Sequence, residues 1–273
     1  MKLSVITVNY NNCKGLEKTI KSVVSQSLSC GLDFEYIIID GGSADGSAEL
    51  IQQYSASLAF AVSEKDSGIF HAMNKGVGHA SGDYVIFMNS GDCFHTSDVL
   101  RVVMPQLQGD DFYIGDMLWQ RHDKKKVLRS PSEVTAARIV QRPLSHPATF
   151  MRTQLLRERP YREDCPILAD REQMLHELVF NNRSYKRIDI LVSDYEADGF
   201  SGKMEQSGKY GAEWERVLRE AFPPRVLLSL LGCSPLDSKI RVALEMERPS
   251  TRYSKLLRYS FQAFVSSLFG RDR

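Results

Sequence analysis

Residues 34–47 read FEYIIIDGGSADGS. The first seven are apolar apart from Glu35 and the final Asp40, as expected of a strand buried on both faces of a sheet. The run stops at a carboxylate and enters a turn-rich stretch whose glycines supply positive φ. Upstream, LSVITV (3–8) is another short β-branched run. Leu16, Ile20, Val23 and Val24 then recur at helical spacing, and Asn12 is available to cap the helix they imply. Downstream, the pattern predicts a helix at 48–54, a strand at 59–62, a helix around 69–79 and the strand YVIFM at 84–88. Strand and helix alternating in this way indicate an α/β fold on a mostly parallel sheet.

The polar residues of this region gather in one respect. Thr7, Val8, Asn9, Tyr10 and Asn11 leave the first strand, and Asp40 ends the second. Ser63-Glu64-Lys65-Asp66 follows the third, and Asn89-Ser90-Gly91-Asp92 follows the fourth. All four groups lie at carboxyl ends of strands, where open α/β sheets place their ligand crevice.

Beyond residue 110 the pattern is mixed. FYIGDM (112–117), HPATFM (146–151) and RIDILVSDY (187–195) read as strands. Met174, Leu175, Leu178 and Val179 mark an amphipathic helix whose first turn carries Asp170, and from 211 onward the chain reads as helices broken by prolines. Lys124-Lys125-Lys126 reads as a solvated loop edge within reach of an anionic acceptor.

The 273 residues carry 35 basic and 34 acidic side chains, a net charge of +1, which excludes a global footprint for nucleic acid. Five scattered cysteines without a C-x-x-C pair fit a reducing compartment rather than a disulfide framework or a structural zinc site. The amino terminus has too short an apolar run for a secretory signal, and no stretch of about 18 uncharged apolar residues is present, so a cytoplasmic protein is expected. Neither G-x-x-x-x-G-K-[ST] nor G-x-G-x-x-G follows a strand, so a nucleotide must be held without the usual phosphate loops. Asp40 is suited to accept hydrogen bonds from a base or ribose. Asp92 is suited to a divalent cation, because Mg²⁺ and Mn²⁺ favour a carboxylate together with substrate phosphate oxygens.

SVITVNYN, SVVSQ, FEYIIIDGGSADGS and SEKDSGIFHAMNKGVGHASGDYVIFMNSGD together resemble the amino-terminal half of family 2 glycosyltransferases of the GT-A fold. Within that family they are most similar to the bacterial branch that builds colanic-acid-like and other surface polysaccharides. The likeness spans roughly residues 1–205, with 1–110 as the nucleotide-sugar half, 111–210 as the acceptor half and 211–273 as a helical extension. It implies that Thr7, Val8, Asn9, Tyr10 and Asp40 bind the base and ribose of the donor, and that Asp66, Asn74 and Lys75 line its pocket. Asn89 and Ser90 join the donor site, with Asp92 as the carboxylate for Mg²⁺ or Mn²⁺; Asn89 and Gly91 depart from the family's D-x-D pattern. Asp170, in LADREQML (168–175), takes the place of the catalytic base. Asp198-Gly199-Phe200-Ser201 resembles the element that closes over the donor.

The implied reaction is inverting transfer from a nucleotide-diphosphate sugar to a saccharide acceptor, with a polyprenyl-diphosphate carrier expected. A positioned base contributes ~10²–10⁴-fold to such a step. Other readings stand beside these. Asp170 fits a helix cap, Asp92 a turn, and His146 either a packed strand histidine or a group near the donor diphosphate. At the level of the whole chain the rivals are a sugar nucleotidyltransferase and a non-catalytic saccharide- or nucleotide-binding protein. Residues 239–273 hold eight basic and three acidic side chains. Within them Tyr253, Leu256, Leu257, Phe261, Phe264, Val265 and Leu268 form one stripe. That stripe reads either as a helix packed on protein or as an interfacial helix, through 252–270, on the inner face of the cell membrane.

Overall fold

The computed structural model describes residues 1–26, 32–197, 204 and 207–231. The element Asp198–Ser201, the basic segment 239–273 with its stripe, and Cys30 and Cys233 lie outside the described residues.

Four strands open the chain: β1 (Leu3–Asn9), β2 (Phe34–Asp40), β3 (Phe60–Ser63) and β4 (Tyr84–Phe87). They are parallel to one another in the spatial order β3-β2-β1-β4. Between them run α1 (Cys13–Gln26), α2 (Ser47–Gln53) and α3 (Ile69–His79). The uninterrupted apolar runs follow from cover on both faces. Successive side chains of a strand point oppositely. Ile6, Val8, Ile37 and Ile39 accordingly join one buried cluster with Met73 and Val77 of α3. Leu3, Val5, Tyr36 and Ile38 join the other with Leu16, Ile20 and Val23 of α1. Asn12 caps α1 as expected, its Oδ1 accepting the Gly15 N–H at 3.2 Å.

The second half extends the same sheet with mixed polarity. Its strands are β5 (Cys93–Phe94), β6 (Phe112–Arg121), β7 (Lys124–Leu128), β8 (Thr149–Arg152) and β9 (Tyr185–Glu196). The order continues β4-β8-β6-β9-β5, with β7 paired to the outer part of β6. β8 is antiparallel to both β4 and β6, and β9 is parallel to β6. With these polarities the carboxyl ends of β1, β2, β3, β4, β6 and β9 share one edge with the amino end of β8. The helices here are α4 (Val99–Val103), α5 (Ala136–Gln141), α6 (Thr153–Glu158), α7 (Ala169–Leu175), α8 (Lys209–Ala221) and α9 (Pro224–Leu231).

Two expectations change. HPATFM is a strand only from Thr149, because Pro147 sits in a single 3₁₀ turn, His146–Ala148, that leads into β8. Lys124-Lys125-Lys126 is no loop but the start of β7, paired in register with Arg121, Gln120 and Trp119. Three lysines hide that strand from a hydrophobicity reading, although exposed edge strands commonly carry lysine.

Candidate active site

At the tip of β2, Asp40 is fully buried and surrounded by donors. It accepts the amide of Asn9 from β1 (2.6 Å), the hydroxyls of Ser43 and Ser63 (both 2.6 Å) and the Ser43 N–H (2.9 Å). Burial works to raise its pKa, but these hydrogen bonds outweigh it and hold the carboxyl below the ordinary value. Beside it the Tyr10 ring stands 67% exposed, an unusual state for an aromatic that has no partner to cover. Gly41 leaves room there: a Cβ would lie 2.7 Å from Asp66 Oδ2 and 3.1 Å from the Tyr10 ring. Tyr10, Gly41 and Asp66 thus form an open, flat-floored cradle over a rigid, ionised base.

One strand further along, the loop after β4 is tied to the same edge. Ser90 N–H donates to the Val8 carbonyl (3.1 Å), and the Asn12 amide donates to the Ser90 carbonyl (3.1 Å). Gly91, at φ +108°, makes the turn that sends Asp92 inward. Asp92 is buried, and its carboxylate accepts the Glu196 N–H at a long 3.4 Å. Burial pushes its pKa up to about 7; the Glu196 hydrogen bond and the Lys18 charge offset only part of this. Asn89 Oδ1 is buried with no hydrogen-bond partner. A buried carboxylate short of donors and an uncommitted amide oxygen in the same turn fit one hard divalent cation, whose remaining positions would come from phosphate oxygens and water. Among the described residues no group of three or more His, Cys, Asp or Glu could hold a metal by itself.

Asp170 is the second residue of α7, not its cap; Leu168 holds that position. Its charge acts on His146, Tyr161 and Arg171. His146 lies at the amino end of β8, on the shared edge. Its ring stacks on Phe87 of β4 at 5.3 Å, and its Nε2 is 3.0 Å from the Tyr161 hydroxyl. Burial lowers the His146 pKa, and Asp170 opposes this only in part, so the ring is held toward its neutral form. Phe87, His146 and Tyr161 thus pack together at the end of β4, where the charge of Asp170 acts on His146 and Tyr161.

Several residues expected to bind a ligand have partners within the framework. Thr7 is wholly buried, donates to the Met88 carbonyl (2.7 Å) and pairs with the Tyr36 hydroxyl (3.0 Å). Val8 belongs to the apolar core. The Asn74 amide clasps Tyr161 from both sides, donating to its carbonyl and accepting its N–H, each at 2.9 Å. Lys75 forms an ion pair with Glu64 at 2.6 Å. Short-range pattern could not reveal these framework partners, which are up to 87 residues away.

Two positioning residues escaped the sequence reading. Tyr161 is one. The other is Glu213 of α8, whose Oε1 accepts the N–H groups of Ile167 and Leu168 (both 2.8 Å) and the Cys165 thiol (3.1 Å). It fixes the chain immediately before Asp170, while Trp214 stacks on the Arg171 guanidinium at 3.7 Å. A lone glutamate on an amphipathic helix gives no sequence signal for this.

A family model described as glycosyl transferase family 2 matches residues 4–165, more than half of the chain. The chain belongs to that family. An uncharacterized glycosyltransferase of Mycobacterium tuberculosis (strain CDC 1551 / Oshkosh) is 39% identical over 107 residues, spanning 39% of this chain and 40% of the relative. The chain thus spans well under half of that relative's length. A PGL/p-HBAD biosynthesis glycosyltransferase of Mycobacterium bovis (strain BCG / Pasteur 1173P2) is 23% identical over 83% of this chain and 96% of its own. Among solved structures, S. aureus TarS 1–349 in complex with UDP superposes with a TM-score of 0.68 at 19% identity, over 99% of this chain and 92% of that one. A Pyrobaculum calidifontis mannosyltransferase in complex with GDP-Man and Mn²⁺ gives 0.63 at 15% identity, over 99% and 76%. The fold is the GT-A type expected. No helix among the described residues is long and apolar enough to cross a membrane.

Proposed function

We propose that this glycosyltransferase moves one sugar, with inversion, from a nucleotide-diphosphate donor to a saccharide acceptor carried on a phosphorylated lipid in surface glycoconjugate synthesis. What supports this reading is that Asp40 ends β2 and the Asn89–Asp92 turn follows β4 at the same carboxyl edge, where the charge of Asp170 also acts on His146. In this reading Tyr10 stacks on the base while Asp40 and Asp66 accept its donors. Asn89 and Asp92 hold Mg²⁺ or Mn²⁺, which when bound neutralises charge on the departing diphosphate. Asp170 accepts the proton of the acceptor hydroxyl as that oxygen attacks the anomeric carbon and the bond to the diphosphate breaks. Asn74 and Tyr161 hold His146, and Glu213 holds the approach to Asp170.

Support for a cation comes from the uncommitted Asn89 Oδ1 beside a donor-poor Asp92, and from the Mn²⁺ that accompanies GDP-Man in the mannosyltransferase structure. A further relative named cholesterol galactosyltransferase, of Borreliella burgdorferi, 35% identical over 40% of this chain and 30% of its own, supports an acceptor with a lipid part and says nothing of its phosphate or saccharide. The test is a nucleoside-diphosphate release screen over UDP-, GDP- and dTDP-sugars, with and without Mn²⁺, using membrane extract as acceptor. Release dependent on both the extract and one donor is expected. Nucleotide binding without release across the panel would leave a non-catalytic binding protein.

A further inference from the structure

The turn Asn89-Ser90-Gly91-Asp92 carries a single carboxylate, and the fold brings a second one to it from another strand. β5 follows the turn directly and pairs antiparallel with β9, Cys93 opposite Asp194 and Phe94 opposite Ser193. Continued two residues back from Cys93, that register sets Gly91 against Glu196, the last residue of β9. The contacts agree with it. The Glu196 N–H reaches the Asp92 carboxylate (3.4 Å), and a Cβ on Gly91 would lie 3.9 Å from Glu196 Oε2. The Glu196 carboxylate is therefore pinned beside the turn by strand pairing.

Positive charge is already received at this place. Lys18 of α1 extends its ammonium to the turn, where Nζ donates to the Gly91 carbonyl (2.9 Å) and stands 3.7 Å from Glu196 Oε2. That second contact is an ion pair without a hydrogen bond, between two half-exposed side chains. Pairs of this kind contribute little to stability. The Glu196 carboxylate is thus loosely engaged, next to a buried Asp92 short of donors and an Asn89 Oδ1 that has no partner.

We propose that Glu196 is a second carboxylate ligand of the divalent cation at this turn, joining Asp92 and Asn89, and that Lys18 competes with the cation for the same oxygens. Mg²⁺ and Mn²⁺ are commonly held by one or two carboxylates together with substrate phosphates. Asp92 alone supplies one; Glu196 supplies the other from a strand 104 residues further along the chain. The inference rests on the cation reading given above and adds to it a ligand from outside the turn.

The test titrates the full-length protein with Mn²⁺ alone, reading the free ion by electron paramagnetic resonance, so that neither donor nor turnover is needed. Glu196→Gln should weaken Mn²⁺ binding at least ten-fold, as loss of a metal site's partners commonly does. Lys18→Met should strengthen it about five-fold, because a like charge is removed from beside the ion. The opposite signs are decisive. Were Glu196 only the ion-pair partner of Lys18, both variants would break the same contact and shift Mn²⁺ affinity alike. Melting curves give a second measurement: Glu196→Gln should melt as the wild type does without Mn²⁺, and lose most of the rise that Mn²⁺ brings. Unchanged Mn²⁺ affinity in Glu196→Gln, or a change of the same sign in both variants, overturns the proposal. Asp92→Asn separates that failure from failure of the cation reading. Binding that is lost in Asp92→Asn and indifferent to Glu196→Gln removes Glu196 alone, whereas no Mn²⁺ binding by the wild type removes both.

Discussion

Asp40 and Asp92 end loops at the same sheet edge, yet the protein treats the two carboxylates in opposite ways. Asp40 is encircled by hydroxyl and amide donors from Asn9, Ser43 and Ser63, and its pKa is lowered. Asp92 is buried with a long backbone contact, and its pKa is pushed up to about 7. The first is complete within the fold, a fixed negative group whose donors come from the protein itself. The second is incomplete, and pairs with an amide oxygen that also lacks a partner. One end of the site is preorganised for recognition; the other holds a poorly compensated charge that a cation would neutralise.

The sharpest way to break this picture is at the third carboxylate. Asp170→Asn keeps the shape of α7 and removes the base alone. Turnover should fall ~10²–10⁴-fold while nucleotide affinity, measured by calorimetry, stays close to that of the wild type. Normal turnover would place the base elsewhere.

The contrast between the two strand-tip carboxylates predicts stability changes of opposite sign. Asp40 has a lowered folded pKa, so its contribution is present above the unfolded pKa and is lost as pH falls through the folded one. Asp92 has a raised folded pKa, so its cost grows as pH rises from the ordinary aspartate value of 3.8 toward about 7. At about pH 8 Asp40→Asn should therefore lower the melting temperature, whereas Asp92→Asn should raise it, by on the order of 2–4 kcal/mol in stability. At about pH 4 the Asp92→Asn gain should vanish. Mn²⁺ should raise the wild-type melting temperature more at about pH 8 than at about pH 6, because proton and cation compete for Asp92. A gain from Asp92→Asn that persists at acid pH would show that its charge is not the source.

Tyr10→Ala sharpens the recognition end. Stacking on an aromatic ring contributes ~1–3 kcal/mol per base, so the affinity for the cognate nucleoside diphosphate should drop about ten-fold, with melting temperature unchanged because the ring is 67% exposed. Undiminished affinity would remove the ring from the cradle.

The amino-terminal half was legible because its signals are local. Phe34–Asp40 is a strand to the residue, and Ile69–His79 a helix to the residue, since each apolar run is covered on the faces that its own period demands. The strand tips could be placed together because parallel topology aligns carboxyl ends. β7 stayed hidden because lysines on an edge strand carry no apolar alternation. The network behind Asp170 stayed hidden for another reason. Asn74, Tyr161 and His146 meet only through tertiary contacts, as do Glu213 and the segment before Asp170, and each residue type is as common on a plain surface as in a scaffold.

Thr7 offers the smallest and most discriminating effect on ligand handling. The family pattern puts it in the base-binding loop, but its hydroxyl is engaged inside the sheet, by the Met88 carbonyl and the Tyr36 hydroxyl. Valine has nearly the same shape and cannot replace either hydrogen bond, so both partners would be left unsatisfied in a fully buried place. Thr7→Val should lower stability by ~1–3 kcal/mol and leave nucleotide affinity where it was. A fall in affinity at constant melting temperature would reverse the assignment and return Thr7 to the ligand. A fall in both would show that the Met88 carbonyl bond holds the turn carrying Asn89 and Asp92 in place, joining the complete end of the site to the incomplete one.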